Sequence, residues 1–339
     1  MSQKIEITRI EKSKINDLDF NNFSFGSVFT DHMFECDFID GKWANPKIKP
    51  YQPISIEPSA SVLHYGQAIF EGMKAYKDKN DEVWLFRPDQ NFERINKSAV
   101  RMAIPEFPNE LFYDALTKLV NIERDWVKHG DGRSLYIRPF VIGNDYAIQA
   151  VPSKNYKFMI ICAPATLYYT KKLKVLVADK FSRAASGGVG YAKAAGNYAG
   201  QFYPTRLAND EGFDQVIWTD ANEHNYLEEA GTMNIFFRIN DTLITAPTTD
   251  TILDGVTRKS LIQIAKDNGI DVEIKKLKVD ELKNAAKNGS LKEIFGAGTA
   301  AVVSQINAFQ HKGELFELNE LDNSYAEKLK SNLVGIQTN

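Results

Sequence analysis

The stretch "GGVGYAKAAGNYAG", residues 187–200, places one lysine, Lys193, among glycines, alanines and two tyrosines. A surface lysine ordinarily has polar neighbours that share its hydration, and Lys193 has none beside it in the sequence. Small residues on both sides let a backbone and a flat ligand approach closely, and an amine held there is poorly hydrated, as catalytic lysines are. The stretch therefore allows two interpretations: a reactive amine, or a glycine-rich loop whose lysine points into solvent.

The composition is that of a globular protein with about two domains. The chain has 339 residues, and a domain typically takes about 150. Apolar residues make up 43% and charged residues 25%, which are ordinary globular proportions. The net charge is -3, with both signs interspersed and no basic run. We therefore expect small-molecule ligands and no nucleic-acid partner.

Neither the cysteines nor the apolar runs indicate an exported or membrane-bound protein. Cys36 and Cys162 are far apart and lack metal-ligand spacing, so we expect no disulfide framework and no metal site. The first twenty residues carry Glu6, Glu11 and Asp17 among their lysines, unlike a signal or transit peptide. The apolar runs stay far below the roughly 18 residues of a membrane span. These features predict a cytoplasmic protein without membrane contact.

The chain combines strands and a hairpin with helices, which predicts an α+β fold. Apolar spacing predicts a helix after Pro88, a second over residues 108–129 and a third between Gly255 and Gly269. A hairpin is expected in residues 73–88 with its turn at 77–82, and other strands are predicted at 32–40, 134–143, 157–165, 174–180, 214–220, 232–239 and 293–306. The irregular segment after Pro164 marks a boundary. We expect a smaller α+β domain with substrate-side loops over residues 1–165, a linker over 166–173 and a larger cofactor-binding domain over 174–339.

Several charged or polar residues occupy positions that allow a site. "GVTRKS", residues 255–260, begins a helix whose first N–H groups suit a phosphate, although many helix starts bind only water. Glu228 and Glu229 precede an apolar strand, where acids are often merely exposed. Arg94 lies on a helix, and Arg138 stands in a largely apolar strand, where a charge needs a buried partner or a ligand.

The segment "FGAGTAAVVS", residues 295–304, fits the glycine pattern of a dinucleotide site. Such a site also needs a following helix within a βαβ unit, whereas the residues that follow predict a hairpin turning at Lys312 and Gly313. We reject a dinucleotide site. A tight turn of small residues remains at 298–301, with backbone N–H groups open to another anion.

One ligand, pyridoxal phosphate, accounts for these separate features together. A lysine forms a Schiff base with it, a helix start and an arginine hold the phosphate, and a carboxylate keeps the ring nitrogen protonated. Each otherwise ambiguous residue then has a function.

The sequence resembles the branched-chain amino acid aminotransferases of the fold-type-IV pyridoxal-phosphate family. The resemblance covers nearly the whole chain and rests on motifs in the family's order: "FGSVFTDHM", "LHYGQAIFEGMKAY", "SLYIRPFVIGN", "GGVGYAKAAGNY", "EEAGTMNIF", "LDGVTRKSL" and "FGAGTAAVV". It implies a two-domain fold like that of D-amino acid aminotransferase, with the cofactor at the domain interface.

The resemblance also implies a role for each matching residue. Lys193 is the catalytic Schiff-base lysine, Tyr198 bonds the cofactor's phenolic oxygen and Glu229 pairs with its ring nitrogen. The phosphate is held by Arg94, Val256, Thr257 and Thr299. Arg138 meets the side-chain carboxylate of glutamate, and the substrate space is lined by Phe25, Phe70, Tyr136, Thr232, Ala300 and Ala301.

Two further expectations follow from the family pattern. Its members are dimers in which each active site borrows a loop from the neighbour, so Tyr65 in "LHYG" would enter the partner's pocket of a homodimer. Some relatives carry a redox Cys-x-x-Cys after the "GTA" turn, but this chain has Ala301 and Ser304 there. We therefore expect no thiol switch.

The implied reaction moves an amino group from leucine, isoleucine or valine to 2-oxoglutarate, giving glutamate and a branched-chain 2-oxo acid. Within the fold, D-amino acid aminotransferase and aminodeoxychorismate lyase are the alternatives. They share the lysine and phosphate elements but not the combination of "FEGMKAY", "SLYIRP" and "EEAGTMNIF". A non-catalytic binding protein is the alternative of another class, and the presence of Lys193, Glu229 and Arg94 together argues against it.

Overall fold

The structure, a computed structural model, describes residues 4–130, 132–169 and 171–338. Contacts divide the chain into two compact units. Unit 1 comprises Met1–Tyr168, Ala192–Gly196 and Gln337–Asn339, and unit 2 comprises Tyr169–Tyr191 and Asn197–Ile336. Within the described ranges, no helix has both the length and the apolar content needed to cross a membrane. The linker over 166–173 and the domain bounds predicted around it stay predictions.

Unit 1 is built on an eight-stranded sheet in the order β1-β3-β2-β8-β7-β5-β6, with β4 paired to β7. All its strand pairs are antiparallel except β1 with β3. Its elements are β1 (Glu6–Ile7), β2 (His32–Ile39), β3 (Lys42–Pro50), α1 (Ser61–Tyr65), β4 (Ala68–Phe70), β5 (Met73–Lys77), β6 (Val83–Leu85), α2 (Pro88–Arg101), α3 (Asn109–Ile122), β7 (Ser134–Gly143) and β8 (Tyr156–Ala165), with short 3-10 helices at Ile15–Asp17 and Arg124–Trp126.

The alternation of side chains along β7 decides which face of this sheet is the core. Leu135 and Ile137 point into a buried apolar cluster that also holds residues of β2, β8, α2 and α3. Because successive residues of a strand point to opposite faces, Ser134, Tyr136 and Arg138 share the other face. The candidate site of unit 1 is on that other face.

Unit 2 contains a ten-stranded mixed sheet in the order β14-β13-β12-β16-β17-β9-β10-β11-β15, with β18 paired to β17. The pairs β9 with β10, β9 with β17 and β13 with β14 are parallel. The remaining elements of the chain are β9 (Leu173–Val177), α4 (Ala195–Ala199), α5 (Phe202–Asp210), β10 (Gln215–Thr219), β11 (Tyr226–Ala230), β12 (Asn234–Ile239), β13 (Thr242–Thr245), α6 (Val256–Asp267), β14 (Val272–Ile274), β15 (Leu277–Lys278), α7 (Val279–Lys287), β16 (Leu291–Gly298), β17 (Val302–His311), β18 (Glu314–Glu317) and α8 (Tyr325–Thr338).

Most of the predicted elements are confirmed, including the hairpins. β5 pairs with β6 through the 77–82 turn, and β17 pairs with β18 through Lys312 and Gly313, whose positive φ angles of 49° and 80° close the turn. The predicted strand over 293–306 is in fact two antiparallel strands, β16 and β17, joined by a three-residue turn. No dinucleotide-binding βαβ unit is formed there.

One helix prediction was too long. The helix expected over residues 108–129 ends at Ile122 and is followed by the 3-10 helix that contains Trp126. The Trp126 indole N–H donates to Asp31 at 3.0 Å, and the carboxylate of Glu123 accepts from the Asp31 N–H at 3.1 Å. These long-range bonds take the chain out of the α-helix, and apolar spacing gives no sign of them.

Candidate active site

Lys193 is held by its backbone against β4 in unit 1. Its N–H donates to Ser98 Oγ at 2.9 Å, its carbonyl accepts from the Phe70 N–H at 3.0 Å, and the next residue, Ala194, forms an antiparallel bridge with Ile69. The half-buried side chain places Nζ 4.6 Å from the centre of the Phe70 ring. Of the two interpretations of this stretch, the geometry favours the held amine over a lysine pointing into solvent.

Arg138 approaches the same aromatic ring. Its Cζ lies 4.6 Å from the Phe70 centroid and 5.2 Å from that of Tyr136, and its Nη2 donates to the Tyr136 hydroxyl at 2.9 Å. The ring of Phe25 meets Tyr136 edge-on at 5.0 Å. The structure thus brings together five residues that the sequence proposed for the site: Lys193, Phe70, Arg138, Tyr136 and Phe25.

Arg94, the expected phosphate ligand on α2, is fixed by a buried carboxylate. Glu71 accepts from Arg94 Nε at 2.7 Å and Nη2 at 2.9 Å, and also from the Asn91 amide at 2.7 Å and the Gly72 N–H at 3.0 Å. Burial alone would raise the pKa of Glu71, but the Arg94 guanidinium, with Lys193 and Asn91, holds it below its usual value. The ion pair sets the direction of the guanidinium.

Tyr65 is an exposed residue of unit 1. It ends the short helix α1, which Gly66 terminates in the left-handed conformation at a φ of 61°. The side chain is 46% exposed. A tyrosine so exposed is available to another molecule, which is the property its predicted role needs.

In unit 2, Glu229 is buried and both of its carboxylate oxygens have partners. Oε1 pairs with Arg183 Nη2 at 2.5 Å and accepts from the Leu253 N–H at 3.0 Å, and Oε2 accepts from the Asn234 amide at 2.9 Å. The Asn234 amide also donates to the Leu253 carbonyl. These contacts on both oxygens fix the direction in which the carboxylate points.

Glu228, one residue earlier on β11, has different surroundings. Its Oε1 accepts from the Thr251 hydroxyl at 2.6 Å, and its buried Oε2 has no hydrogen-bond partner in the described part of the chain. Burial raises the pKa of this carboxyl. The two neighbouring acids therefore differ: Glu229 is in an ion pair, and Glu228 has a raised pKa.

Val256 and Thr257 form the first turn of α6. Gly255 is the N-cap, and none of the described side chains caps the helix. A Cβ on Gly255 would lie 1.9 Å from Asn234 Oδ1, so only glycine lets the helix begin this close to the Glu229 network. The first-turn N–H groups and the positive end of the helix dipole suit an anion.

The turn between β16 and β17 contains Thr299, Ala300 and Ala301. Its strands close at the pair Gly298 and Val302, and Val302 has a φ of 56°, a left-handed conformation that a β-branched residue adopts only under constraint. The exposed Thr232 is adjacent, because a Cβ on Gly298 would lie 3.0 Å from the Thr232 carbonyl. Such strain is frequent at binding sites.

Tyr198 is the remaining predicted residue. It is half-buried on α4, five residues after Lys193. The structure thus places seven of the predicted residues in unit 1 and eight in unit 2. Unit 1 has Phe25, Tyr65, Phe70, Arg94, Tyr136, Arg138 and Lys193, and unit 2 has Tyr198, Thr232, Val256, Thr257, Glu229, Thr299, Ala300 and Ala301.

Four residues that lie beside the predicted ones were not identified from the sequence. Glu71, Arg183 and Asn234 orient Arg94 or Glu229, and Lys74 is buried on β5. Glu71 and Lys74 could have been found, because a charge inside the apolar segment "AIFEGMKAY" needs a partner. Arg183 gives no such signal in its polar surroundings.

Comparison with known proteins shows the family of this chain. The family model for amino-transferase class IV matches residues 68–309. A probable branched-chain-amino-acid aminotransferase of Staphylococcus epidermidis is 45% identical over 100% of this chain and 96% of its own length. Branched-chain-amino-acid aminotransferase 2 of Bacillus subtilis is 43% identical over 98% of this chain and 93% of its own length.

A solved structure also shares the fold. The T.th. branched-chain amino acid aminotransferase complexed with N-(5'-phosphopyridoxyl)-L-glutamate aligns with a TM-score of 0.70 at 23% identity, over 89% of this chain and 94% of that one. The chain belongs to the class IV aminotransferase family. It has that family's two-domain α+β fold, the fold of type-IV pyridoxal-phosphate enzymes.

Proposed function

We propose that this protein is a branched-chain amino acid transaminase, which moves the amino group of leucine, isoleucine or valine to 2-oxoglutarate. Relatives named for this activity are 43–46% identical along most of the chain. The observation that carries the proposal is the joint placement of Lys193 and Arg138 at the Phe70 ring. A reacting amine and a carboxylate-binding group then lie at the same aromatic ring.

The two distances to this ring are compatible with a five-carbon diacid. Lys193 Nζ and Arg138 Cζ each lie 4.6 Å from the centre of the Phe70 ring, so they are at most twice that distance apart. The α-carbon and distal carboxyl carbon of glutamate are separated by three bonds of about 1.5 Å each, and a contact of about 3 Å at each end spans the remainder. The aromatic walls formed by Phe70, Tyr136 and Phe25 equally suit a branched hydrocarbon.

The residues present also fit pyridoxal phosphate as the cofactor. Lys193 offers an amine on a segment of small residues, and α6 begins without a cap from any described side chain, as an anion site requires. Glu229 is a buried carboxylate that Asn234 and the Leu253 N–H orient. We propose that the cofactor uses Lys193 as the point of covalent attachment. Tyr198 and Glu229 would hold the ring, and Arg94, Val256, Thr257 and Thr299 would hold the phosphate.

Each residue then has a physical task. The cofactor, when bound, supplies an electron sink that acidifies the substrate's α-carbon. Lys193 carries a proton to and from that carbon, Glu229 maintains a positive charge on the ring nitrogen, and Arg138 binds the distal carboxylate of glutamate. Thr232, Ala300 and Ala301 line the remaining substrate space with small groups.

We further propose a homodimer in the cytoplasm, in which the Tyr65 loop completes the neighbour's site. The 46% exposure of Tyr65 supports this, because a large aromatic side chain at that exposure gains stability from being covered. Sedimentation velocity of the purified protein tests the dimer. Mixing Tyr65→Ala with Lys193→Ala then tests the loop, because hybrid dimers would contain one intact site and regain activity.

The function itself is tested by spectroscopy and an assay. The purified protein should be yellow, should lose that colour when leucine is added and should regain it with 2-oxoglutarate. A panel of amino acids with 2-oxoglutarate should show turnover for leucine, isoleucine and valine. Turnover of D-amino acids alone, or a colour change without amino transfer, would refute the proposal.

The attachment point has its own test. Borohydride reduction and peptide mass spectrometry should find the pyridoxyl adduct on Lys193, because its amine is held at the Phe70 ring. An adduct on Lys171, Lys172 or another lysine would refute the assignment, even if the protein proved to be a transaminase.

A further inference from the structure

Three polar groups on one face of the unit 1 sheet lack partners. Lys74 is 4% exposed as a whole residue, and burial is the one influence on its pKa, without a hydrogen bond or charge from another described residue. Ser134 Oγ and Arg138 Nε are buried and likewise have no hydrogen-bond partner among the described residues. Buried polar groups in native proteins are nearly always satisfied. Three such groups together indicate a ligand.

The strand register puts these groups side by side. Lys74 on β5 lies directly opposite Tyr136 on β7, and opposed residues project from the same face with Cβ atoms about 5 Å apart. Ser134 and Arg138 are two residues before and after Tyr136, so they project from that face too. Ala75 and Leu135 project from the other face, into the core.

The Tyr136 hydroxyl is fixed within this group. A Cβ on Gly72 would lie 2.1 Å from it, so the phenol rests directly on the backbone of that glycine. The hydroxyl oxygen accepts from Arg138 Nη2, which leaves its own proton to donate. Among the described residues, the free donors on this face are thus the Ser134 O–H, the Lys74 ammonium, the Tyr136 O–H and Arg138 Nε. Ser134 lies four residues before Arg138 on β7, or roughly 13 Å along the strand, so one small ligand can meet only the other three together.

Two cations and a hydroxyl donor define the chemistry of the missing partner. Burial lowers the pKa of Lys74 to about 8, since no counter-charge offsets the loss of hydration. An anion with two acceptor oxygens would satisfy the ammonium, the hydroxyl and the guanidinium at once. An apolar side chain would leave all three unsatisfied.

We propose that Lys74 is a specificity-determining residue that, together with Arg138, binds the distal carboxylate of the dicarboxylic substrate. The inference rests on the proposed transaminase function, because it assigns a further residue to the same pocket. Arg138 alone would distinguish glutamate from leucine by one charge. With Lys74 the carboxylate meets two cations, and the preference for a five-carbon diacid over a shorter or neutral substrate increases.

The test compares ligands that differ only in the distal carboxylate. Holoenzyme is titrated with glutarate and with 4-methylpentanoate, and binding is followed by the visible spectrum of the cofactor. Lys74→Met should shift the ratio of the two dissociation constants against glutarate by at least about tenfold. Lys74→Gln retains a donor without the charge and should show a smaller shift in the same direction.

Lys77→Met is the matched control. It makes the same change on the same strand, at a lysine that pairs with Asp81 at 3.4 Å, and it should leave the ratio at the wild-type value. Thermal melts confirm folding, and Lys74→Gln serves alone if Lys74→Met fails to fold. An unchanged ratio in the folded Lys74 variants, or an equal loss for both ligands, would overturn the inference. A wild-type protein that cannot transaminate leucine would refute the proposed function instead, whatever the ratio.

Discussion

Replacing Arg138 by methionine should affect the reactions of glutamate and leucine differently, although one pocket must accept both substrates. The guanidinium lies on Phe70 and donates to the Tyr136 hydroxyl, while its Nε is buried without a partner among the described residues. Glutamate brings a second carboxylate that cannot lose its water cheaply unless a cation meets it. The side chain of leucine is a hydrocarbon and needs no cation. The variant should therefore lower kcat/KM for glutamate and 2-oxoglutarate much more than kcat/KM for leucine.

The magnitude follows from the burial of the pair. Removing one partner of a buried charge pair typically costs about 2 to 5 kcal/mol. Arg138 is half-buried as a whole, so we expect about 2 to 4 kcal/mol in kcat/KM for glutamate, or roughly 30- to 1,000-fold. The leucine half-reaction should change by less than about 1 kcal/mol. Losing the contact with Phe70 should also cost about 0.5 to 1 kcal/mol of folding stability.

Single-turnover kinetics on each half-reaction measures the loss in kcat/KM for glutamate and for leucine. Arg133→Met is the matched control, because Arg133 precedes the same strand and donates to the side chain of Asn21 at 2.6 Å. It should leave both half-reactions unchanged. Equal losses for glutamate and leucine in Arg138→Met, with the protein folded, would show that Arg138 is structural and that its assigned role is wrong.

The other predictions concern the paired acids and the thiols. Glu229→Gln should retain the cofactor yet slow turnover by about 10²-fold or more, because the ring nitrogen loses its charged partner, and it should lower the melting temperature because Arg183 loses its ion pair. Glu228→Gln should slow turnover by less than about threefold, since Glu228 accepts a hydrogen bond from the Thr251 hydroxyl that an amide oxygen can also accept. The reverse ranking of the two variants in steady-state assays would refute the assignment. Burial raises the pKa of Cys36 to about 12 and that of Cys162 well above its usual value, so a thiol-specific reagent at pH 8 should label neither in the native protein and both after unfolding. Rapid labelling of the folded protein would contradict this.

Most of the fold could be predicted from local sequence signals. The helix α6 begins and ends at the predicted glycines because a first turn and a left-handed stop leave direct signatures. The strand β7 has the predicted bounds, since "SLYIRPFVIG" is apolar or aromatic at almost every position. Sheet order was not predictable, because pairing partners such as β9 and β17 are more than a hundred residues apart.

The site residues were recognisable by type, but their surroundings were not. Glu228 and Glu229 are adjacent and chemically identical in the sequence. Neighbours on a strand point to opposite faces, so one acid pairs with Arg183 while the other meets a threonine hydroxyl. No property of the two residues themselves distinguishes them, and only the family motif selected Glu229.

The partners that orient the site illustrate the limit of sequence reasoning. An arginine on an apolar helix face or strand indicates that some acid or ligand must be near, because an unpaired buried charge is unstable. It does not identify that acid, which lies 23 residues from Arg94 in the case of Glu71. Lys74 also needs an acid or a ligand nearby, and no acid among the described residues pairs with it. Within one segment, "FEGMKAY", a satisfied charge and an unsatisfied one thus lie three residues apart, and that difference separates a residue that orients the site from one available to bind substrate.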